Sequence, residues 1–222
     1  MSEKPPSPTI EDYLGIIYTL QRDGEDVIGA RLAELLEVSA PTVTVTLRRM
    51  TRDGWINLGD GKRIQLSSAG VEAAKAVIRR HMLTEWMLAK ILNLPWSRIH
   101  DEAHKIEHSI SSEVETSLIN KLEGPTECPH GNPMPGLESL SNHWVSLADC
   151  SVGEKVIIKR VHEFLEDDPD LMDFLEKQQV IPGKRVIIQE IQPLNKTITL
   201  QVDKQYFSLG IETAKSIFVE NT

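Results

Sequence analysis

The sequence predicts a mainly α chain that carries a small β domain, and three observations predict it. Apolar residues fall at helical spacing through the first half, beginning with Ile10, Leu14, Ile17 and Leu20. The order helix, helix, turn, helix, hairpin can be traced through residues 1–70. Beyond about Ser141 the texture changes to short β-branched runs.

Met1 to Ser7 is polar and proline-rich, and a frayed arm is expected there. A helix starts at Pro8 and stops at Asp23-Gly24; Val27 to Leu36 gives a second, short one. After the tight connection Glu37-Val38-Ser39-Ala40, Pro41 suits the first position of a third helix, which runs through Val43, Leu47 and Met50 to Asp53-Gly54. Trp55 to Leu58 and Lys62 to Leu66, joined by Gly59-Asp60-Gly61, form a hairpin. This is the order of a winged helix-turn-helix. A long helix is expected from Ser68 to Leu92, another from Trp96 to Ser109, and Ser112-Glu113-Val114-Glu115 resembles a capping box opening the next. Gly124 to Gly136 is an irregular connection rich in Gly and Pro. Val156-Ile157-Ile158, Arg185 to Ile188, Thr197 to Leu200 and Ile217-Phe218-Val219 then read as strands of a small barrel, interrupted only by a helical stretch from Pro169 to Gln178. The expected domains are 1–70 (winged helix-turn-helix), 71–140 (helical, for dimerisation and metal binding) and 141–222 (β-barrel). Trp86, Met87, Ile91 and Trp96 are placed at a dimer interface in preference to the helical core.

Composition narrows the functional classes. With 40% hydrophobic and 26% charged residues the 222-residue chain is ordinary globular material. No apolar run is long enough to span a membrane, no signal sequence opens the chain, and a cytoplasmic location is expected. Cys128 and Cys150 lack paired metal-ligand spacing and read as free thiols; for Cys128 with His130, a loop thiol is preferred to a metal site. A net charge of −9 disfavours indiscriminate binding to phosphates. Between Arg31 and Arg63, however, Arg31, Arg48, Arg49, Arg52, Lys62 and Arg63 outnumber the acids. The third helix offers Ser39, Pro41, Thr42, Thr44, Val45, Thr46, Arg48 and Arg49, and Lys62 and Arg63 would flank a duplex as the wing. A bland alternative is a protein-interaction module with a solvated basic face. Turn, helix and basic hairpin occurring together favour double-stranded DNA.

The segment His100-Asp101-Glu102-Ala103-His104-Lys105-Ile106-Glu107-His108 carries the second chemistry. At about 100° per residue, positions 100, 104, 107 and 108 share one helix face. His81 and Glu85, four apart, add a neighbouring pair. So many ligand-capable side chains on two adjacent helices would leave buried polar groups unsatisfied without a metal.

These residues resemble the diphtheria toxin repressor family of iron- and manganese-dependent regulators. The resemblance is carried by Tyr13-Leu14 with Ile17-Tyr18, Ser39-Ala40-Pro41-Thr42-Val43, Arg52-Asp53-Gly54, His81 with Glu85, His100-Asp101-Glu102-Ala103 with Glu107-His108, and Gly131-Asn132-Pro133-Met134-Pro135-Gly136. It implies a homodimeric repressor of manganese or iron homeostasis genes that binds operator DNA, with a C-terminal SH3-like barrel. It also implies a primary metal site of Asp12, His104, Glu107 and His108, and an ancillary site of His81, Glu85 and His100 with Glu163 and Glu166 from the barrel. Iron-responsive members carry methionine where Asp12 stands and cysteine where His104 stands; manganese-responsive members share the aspartate. Gly15 replaces the glutamate of members holding a metal pair. Oxygen and imidazole ligands favour Mn²⁺, with Fe²⁺ as the alternative, although Zn²⁺ or Ni²⁺ would bind tighter by raw affinity. Two rivals stand beside this reading. His104-Lys105-Ile106-Glu107-His108 fits the H-x-x-E-H pattern of a zinc metallopeptidase. A dimeric regulator sensing a small organic ligand would instead bind DNA without metal.

Overall fold

The computed structural model describes residues 5–59 and 63–222 and divides into two compact units, Met1–Arg79 and Arg80–Thr222. In the first, α1 (Pro8–Arg22) begins with proline where a helix has no N–H to lose, and buries Ile10, Tyr13, Leu14, Ile17 and Leu20 along one stripe. α2 (Gly29–Leu35) and α3 (Ala40–Arg52) follow, with Ser39 capping α3 by accepting a 3.3 Å hydrogen bond from the Thr42 amide. Gly54, at φ 81°, releases the chain from α3 into an antiparallel hairpin of β1 (Ile56–Leu58) and β2 (Ile64–Leu66). Leu32, Val43, Met50, Ile56 and Ile64 complete the core, each such side chain contributing roughly 1.5–3 kcal/mol on burial.

α4 (Ser68–Lys90) enters the second unit at Arg80. The helix expected over Trp96–Ser109 is segmented: a 3-10 turn at Trp96–Arg98, α5 (Ile99–Ile106), and a second 3-10 turn at Glu107–Ser109. α6 (Ser112–Lys121) is capped by Ser111, whose hydroxyl accepts from the Val114 amide at 3.3 Å, one residue earlier than the capping-box pattern suggested. Trp86 and Trp96 are tied inward, donating their indole N–H groups to the carbonyls of Glu127 (2.7 Å) and Pro129 (2.9 Å). Both side chains are half-buried, Trp96 packing against the cluster of Leu88, Ile99 and Ala103, while Ile91 and Leu92 are exposed.

The β domain contains β3 (Val145–Ser146), β4 (Lys155–Val161), β5 (Arg185–Gln192), β6 (Thr197–Val202), β7 (Gln205–Gly210) and β8 (Ile217–Asn221), hydrogen-bonded in the antiparallel order β3-β8-β4-β5-β6-β7. Alternate residues Val156, Ile158, Val186, Ile188, Ile198, Leu200, Ile217 and Val219 fill its interior. Three helices interrupt it, α7 (Glu163–Glu166), α8 (Pro169–Lys177) and α9 (Ile211–Lys215), where the sequence predicted one. α7 matters most, because it presents Glu166 to the histidines. α8 is held to the Trp96 turn by Glu176, which accepts from the amides of Trp96 (3.1 Å) and Ser97 (3.2 Å), and by Asp173, which accepts from the Ser97 hydroxyl (2.6 Å).

Candidate functional site

On α4, His81 and Glu85 point from successive turns toward His100 on α5. His81 Nε2 lies 3.2 Å from Glu85 Oε1 and 3.1 Å from His100 Nδ1, and His100 Nδ1 lies 2.8 Å from Glu166 Oε2. Glu85 is fully buried and Glu166 nearly so. Glu85 Oε2 has no hydrogen-bond partner among the described residues, a costly arrangement unless a cation claims it. His81, Glu85, His100 and Glu166 each offer a ligand atom within 4.8 Å of the others.

A third group overlaps them. Glu85, Cys128 and His130 also converge within 4.8 Å, all buried. His130 Nδ1 lies 3.2 Å from both Glu85 and Glu166, while its Nε2 donates to the Trp96 carbonyl at 3.1 Å. A carbonyl only accepts, so that bond fixes the ring with Nδ1 toward the carboxylates. From the sequence, Cys128 with His130 reads as a loop thiol and its neighbour in preference to a metal site. Their convergence on Glu85 depends on the fold of the Gly131 loop, which spacing in the chain does not reveal. A Cβ at Gly131, whose φ is 88°, would stand 1.9 Å from the Lys159 carbonyl oxygen, so only glycine lets the loop lie against β4. The next residue, Asn132, donates to Glu166 Oε1 at 2.6 Å and to the Val161 carbonyl at 2.9 Å, and accepts from Arg160. Glu163 accepts from Arg160 at 2.8 Å and stands outside the His81 group.

At the end of α5, the Glu107 carboxylate is buried and surrounded by imidazoles. It pairs with His81 Nδ1, with His104 Nδ1 at 3.3 Å and with His108 Nε2 at 3.4 Å. His81 therefore touches both carboxylate clusters, one through each ring nitrogen. Burial opposes ionisation of Glu107, but the bonds and charges of His104 and His81 outweigh it and hold the group down to about 2. Burial likewise disfavours charged His81, yet Glu85 and Glu107 raise it to about 9. His100 and His130 are raised in the same way, Glu85 is held low, and burial with the nearby Glu85 charge pushes the Cys128 thiol up. The raised imidazoles His81, His100 and His130 and the lowered carboxylates Glu85 and Glu107 favour ion pairs, whose protons a divalent ion binding here would have to displace.

In the first unit, the outward face of α3 exposes Pro41, Thr44, Val45, Arg48, Arg49 and Arg52, with Thr46 half-buried. Several groups assigned to DNA have local partners: Arg31 with Glu34 (2.8 Å), Arg49 with Asp53 (3.7 Å) and Arg63 with Asp26 (2.9 Å). These are exposed pairs of small worth, readily exchanged for phosphate. Lys62 lies outside the described residues.

A winged helix in one chain with a buried imidazole–carboxylate centre defines a class, the transcriptional regulators that bind metal. Three family profiles match: "Iron dependent repressor, N-terminal DNA binding domain" over residues 7–60, "Iron dependent repressor, metal binding and dimerisation domain" over 67–136, and "FeoA domain" over 145–221. The iron-dependent repressor IdeR of Mycobacterium leprae is 36% identical over 223 residues, and the diphtheria toxin repressor of Corynebacterium diphtheriae 34% over 221, each alignment covering 96% of both chains. Among solved structures, a manganese-dependent transcriptional repressor in complex with manganese superposes with a TM-score of 0.84 at 27% identity, covering 96% of this chain and 100% of that one. ScaR with bound Zn²⁺ gives 0.80 at 27% identity, over 98% and 100%. The chain belongs to the diphtheria toxin repressor family of metal-dependent, DNA-binding transcriptional repressors. Its C-terminal sheet is the family's SH3-like domain. The peptidase reading of His104-Lys105-Ile106-Glu107-His108 is overturned, because the family consists of regulators and not enzymes. Among the described residues no helix is long and apolar enough to cross a membrane.

Proposed function

We propose that the chain is a manganese-responsive repressor of metal-homeostasis genes, with Fe²⁺ as the alternative ion, acting as a homodimer on operator DNA in the cytoplasm. The division 1–70, 71–140 and 141–222 describes its reading, helical and barrel parts. The observation that carries the reading is the buried Glu107, ringed by His81, His104 and His108, a carboxylate and three imidazoles that bind divalent metal once deprotonated. Asp12, half-buried on α1, is proposed as the further carboxylate of this primary site, on the strength of its correspondence with the manganese-responsive members. At this primary site, imidazole and carboxylate donors without sulfur suit Mn²⁺ or Fe²⁺. The ancillary site is assigned to His81, Glu85, His100 and Glu166, with Cys128 and His130 as further ligands on the Glu85 side and Glu163 as the partner of Arg160.

A divalent ion, when bound, supplies the positive charge that makes Asp12 and Glu107 partners instead of repelling neighbours. Asp12 belongs to the reading head and Glu107 to the helical core, so their joint engagement narrows the ensemble of head positions. One spacing of two α3 helices across a dimer then fits half-sites one helical turn apart, or a multiple of it. Arg31, Arg49, Lys62 and Arg63 would hold phosphates, with Ser39, Pro41, Thr42, Thr44, Val45 and Thr46 nearest the duplex. The test is a Mn²⁺ titration of operator binding followed by fluorescence anisotropy. Asp12→Ala and His108→Ala should each shift the midpoint to higher Mn²⁺ by at least tenfold; an unchanged midpoint refutes the linkage.

A further inference from the structure

We propose that Val45 is a specificity-determining residue that reads the 5-methyl group of a thymine in the operator's major groove. The proposal rests on α3 being the DNA-facing helix and adds what that helix reads.

The hydroxyls at the start of α3 are already engaged. Ser39 Oγ and Thr42 Oγ1 are 2.8 Å apart, and Ser39 Oγ also accepts from the Thr42 amide. Thr44 Oγ1 donates back to the Ala40 carbonyl at 2.9 Å. At about 100° per residue, Pro41, Val45, Arg48 and Arg52 lie within about 60° of arc, flanked by Thr44 and Arg49. Val43 and Met50 on the opposite side are buried in the core. The outward line of α3 therefore changes character along its length, apolar through Pro41 and Val45 and cationic through Arg48 and Arg52.

Val45 is 65% exposed. A single exposed valine is unremarkable in general. Here it occupies the centre of the outward face of the helix that lies in the major groove in this fold, one turn from cations suited to phosphate. Valine neither donates nor accepts a hydrogen bond, so it cannot read the N7, O6, N6 or N4 groups of the base edges. Thymine alone among the four standard bases presents a methyl group in the major groove. An apolar contact there buries carbon on both sides and discriminates thymine from cytosine without any polar bond. The cationic half of the helix supplies attraction that is indifferent to sequence.

The experiment uses the manganese-loaded full chain and an operator enriched by it from random duplexes. Each thymine of a half-site is replaced in turn by deoxyuridine, which removes the methyl and nothing else, and affinity is measured for the native protein and for Val45→Ala. At one thymine the native protein should lose about fourfold per methyl, the equivalent of one buried CH₂ group. Val45→Ala should lose nothing at that position while matching the native response at every other. Equal losses for both proteins at all positions, or no loss for the native protein anywhere, would overturn the assignment of Val45. Failure of the underlying reading has a different signature: Arg48→Ala with Arg52→Ala would then leave the salt dependence of binding unchanged.

Discussion

His81 and Glu85 set the chemistry of the proposed metal centre at the level of single atoms. Glu85 Oε1 faces His81, His100 and His130 at 3.2–3.3 Å, so one carboxylate serves both overlapping ligand groups. Glu85→Ala should therefore weaken Mn²⁺ or Zn²⁺ binding, measured by calorimetry, more than Cys128→Ser or His100→Ala alone. The pH response has two opposite signs. In the metal-free protein His81 is raised from 6.5 to about 9, so its contribution to stability is complete below pH 6.5 and lost as pH climbs through 9. Glu107, lowered from 4.5 to about 2, contributes above pH 4.5 and loses that contribution only as pH falls through 2. Metal requires the neutral imidazole, so apparent metal affinity should rise between pH 6.5 and 9 while the stability owed to His81 in the metal-free chain declines. Thermal melts with and without Mn²⁺ across that range will show the gap between the two forms widening. A gap that narrows contradicts the ion-paired centre.

Elements position these atoms, and two of them give direct tests. Asn132 holds Glu166 from the Gly131 loop, outside the ligand groups themselves. Asn132→Ala should lower metal affinity by about 10–100-fold with circular dichroism unchanged, as expected for a residue that orients a ligand. Ser39→Ala removes the cap of α3 and should cost about 1 kcal/mol in denaturant unfolding. Which elements could be read from the chain follows from the same physics. α1, α3 and the wing were legible because periodicity, Pro41, Asp53-Gly54 and the turn all agree. α7 was not, since four residues, Glu163–Glu166, are too few for a period to show. β7 is not legible either, because Gln205–Gly210 is an edge strand of which only Leu209 is buried. The imidazoles of α4 and α5 announced a metal, whereas Cys128 and His130 sit in a loop whose path is set by contacts with β4.

For the whole molecule, charge frames the regulation. At a net −9, operator binding as proposed requires the chain to meet DNA through the local cationic face of α3 rather than through its overall field. Each bound divalent ion offsets part of that negative charge, and binding of metal and of operator are coupled, so each must tighten the other by the same factor. Operator DNA should then sharpen Mn²⁺ binding by the same factor as Mn²⁺ sharpens operator binding. The most direct measurement is operator affinity at fixed salt and protein concentration for the chelator-stripped chain, the Mn²⁺-loaded chain, and Glu107→Ala with Mn²⁺. The stripped protein and the variant should both bind at least tenfold more weakly than the loaded native protein. If the stripped chain grips the operator as tightly as the loaded one, metal does not govern DNA binding here.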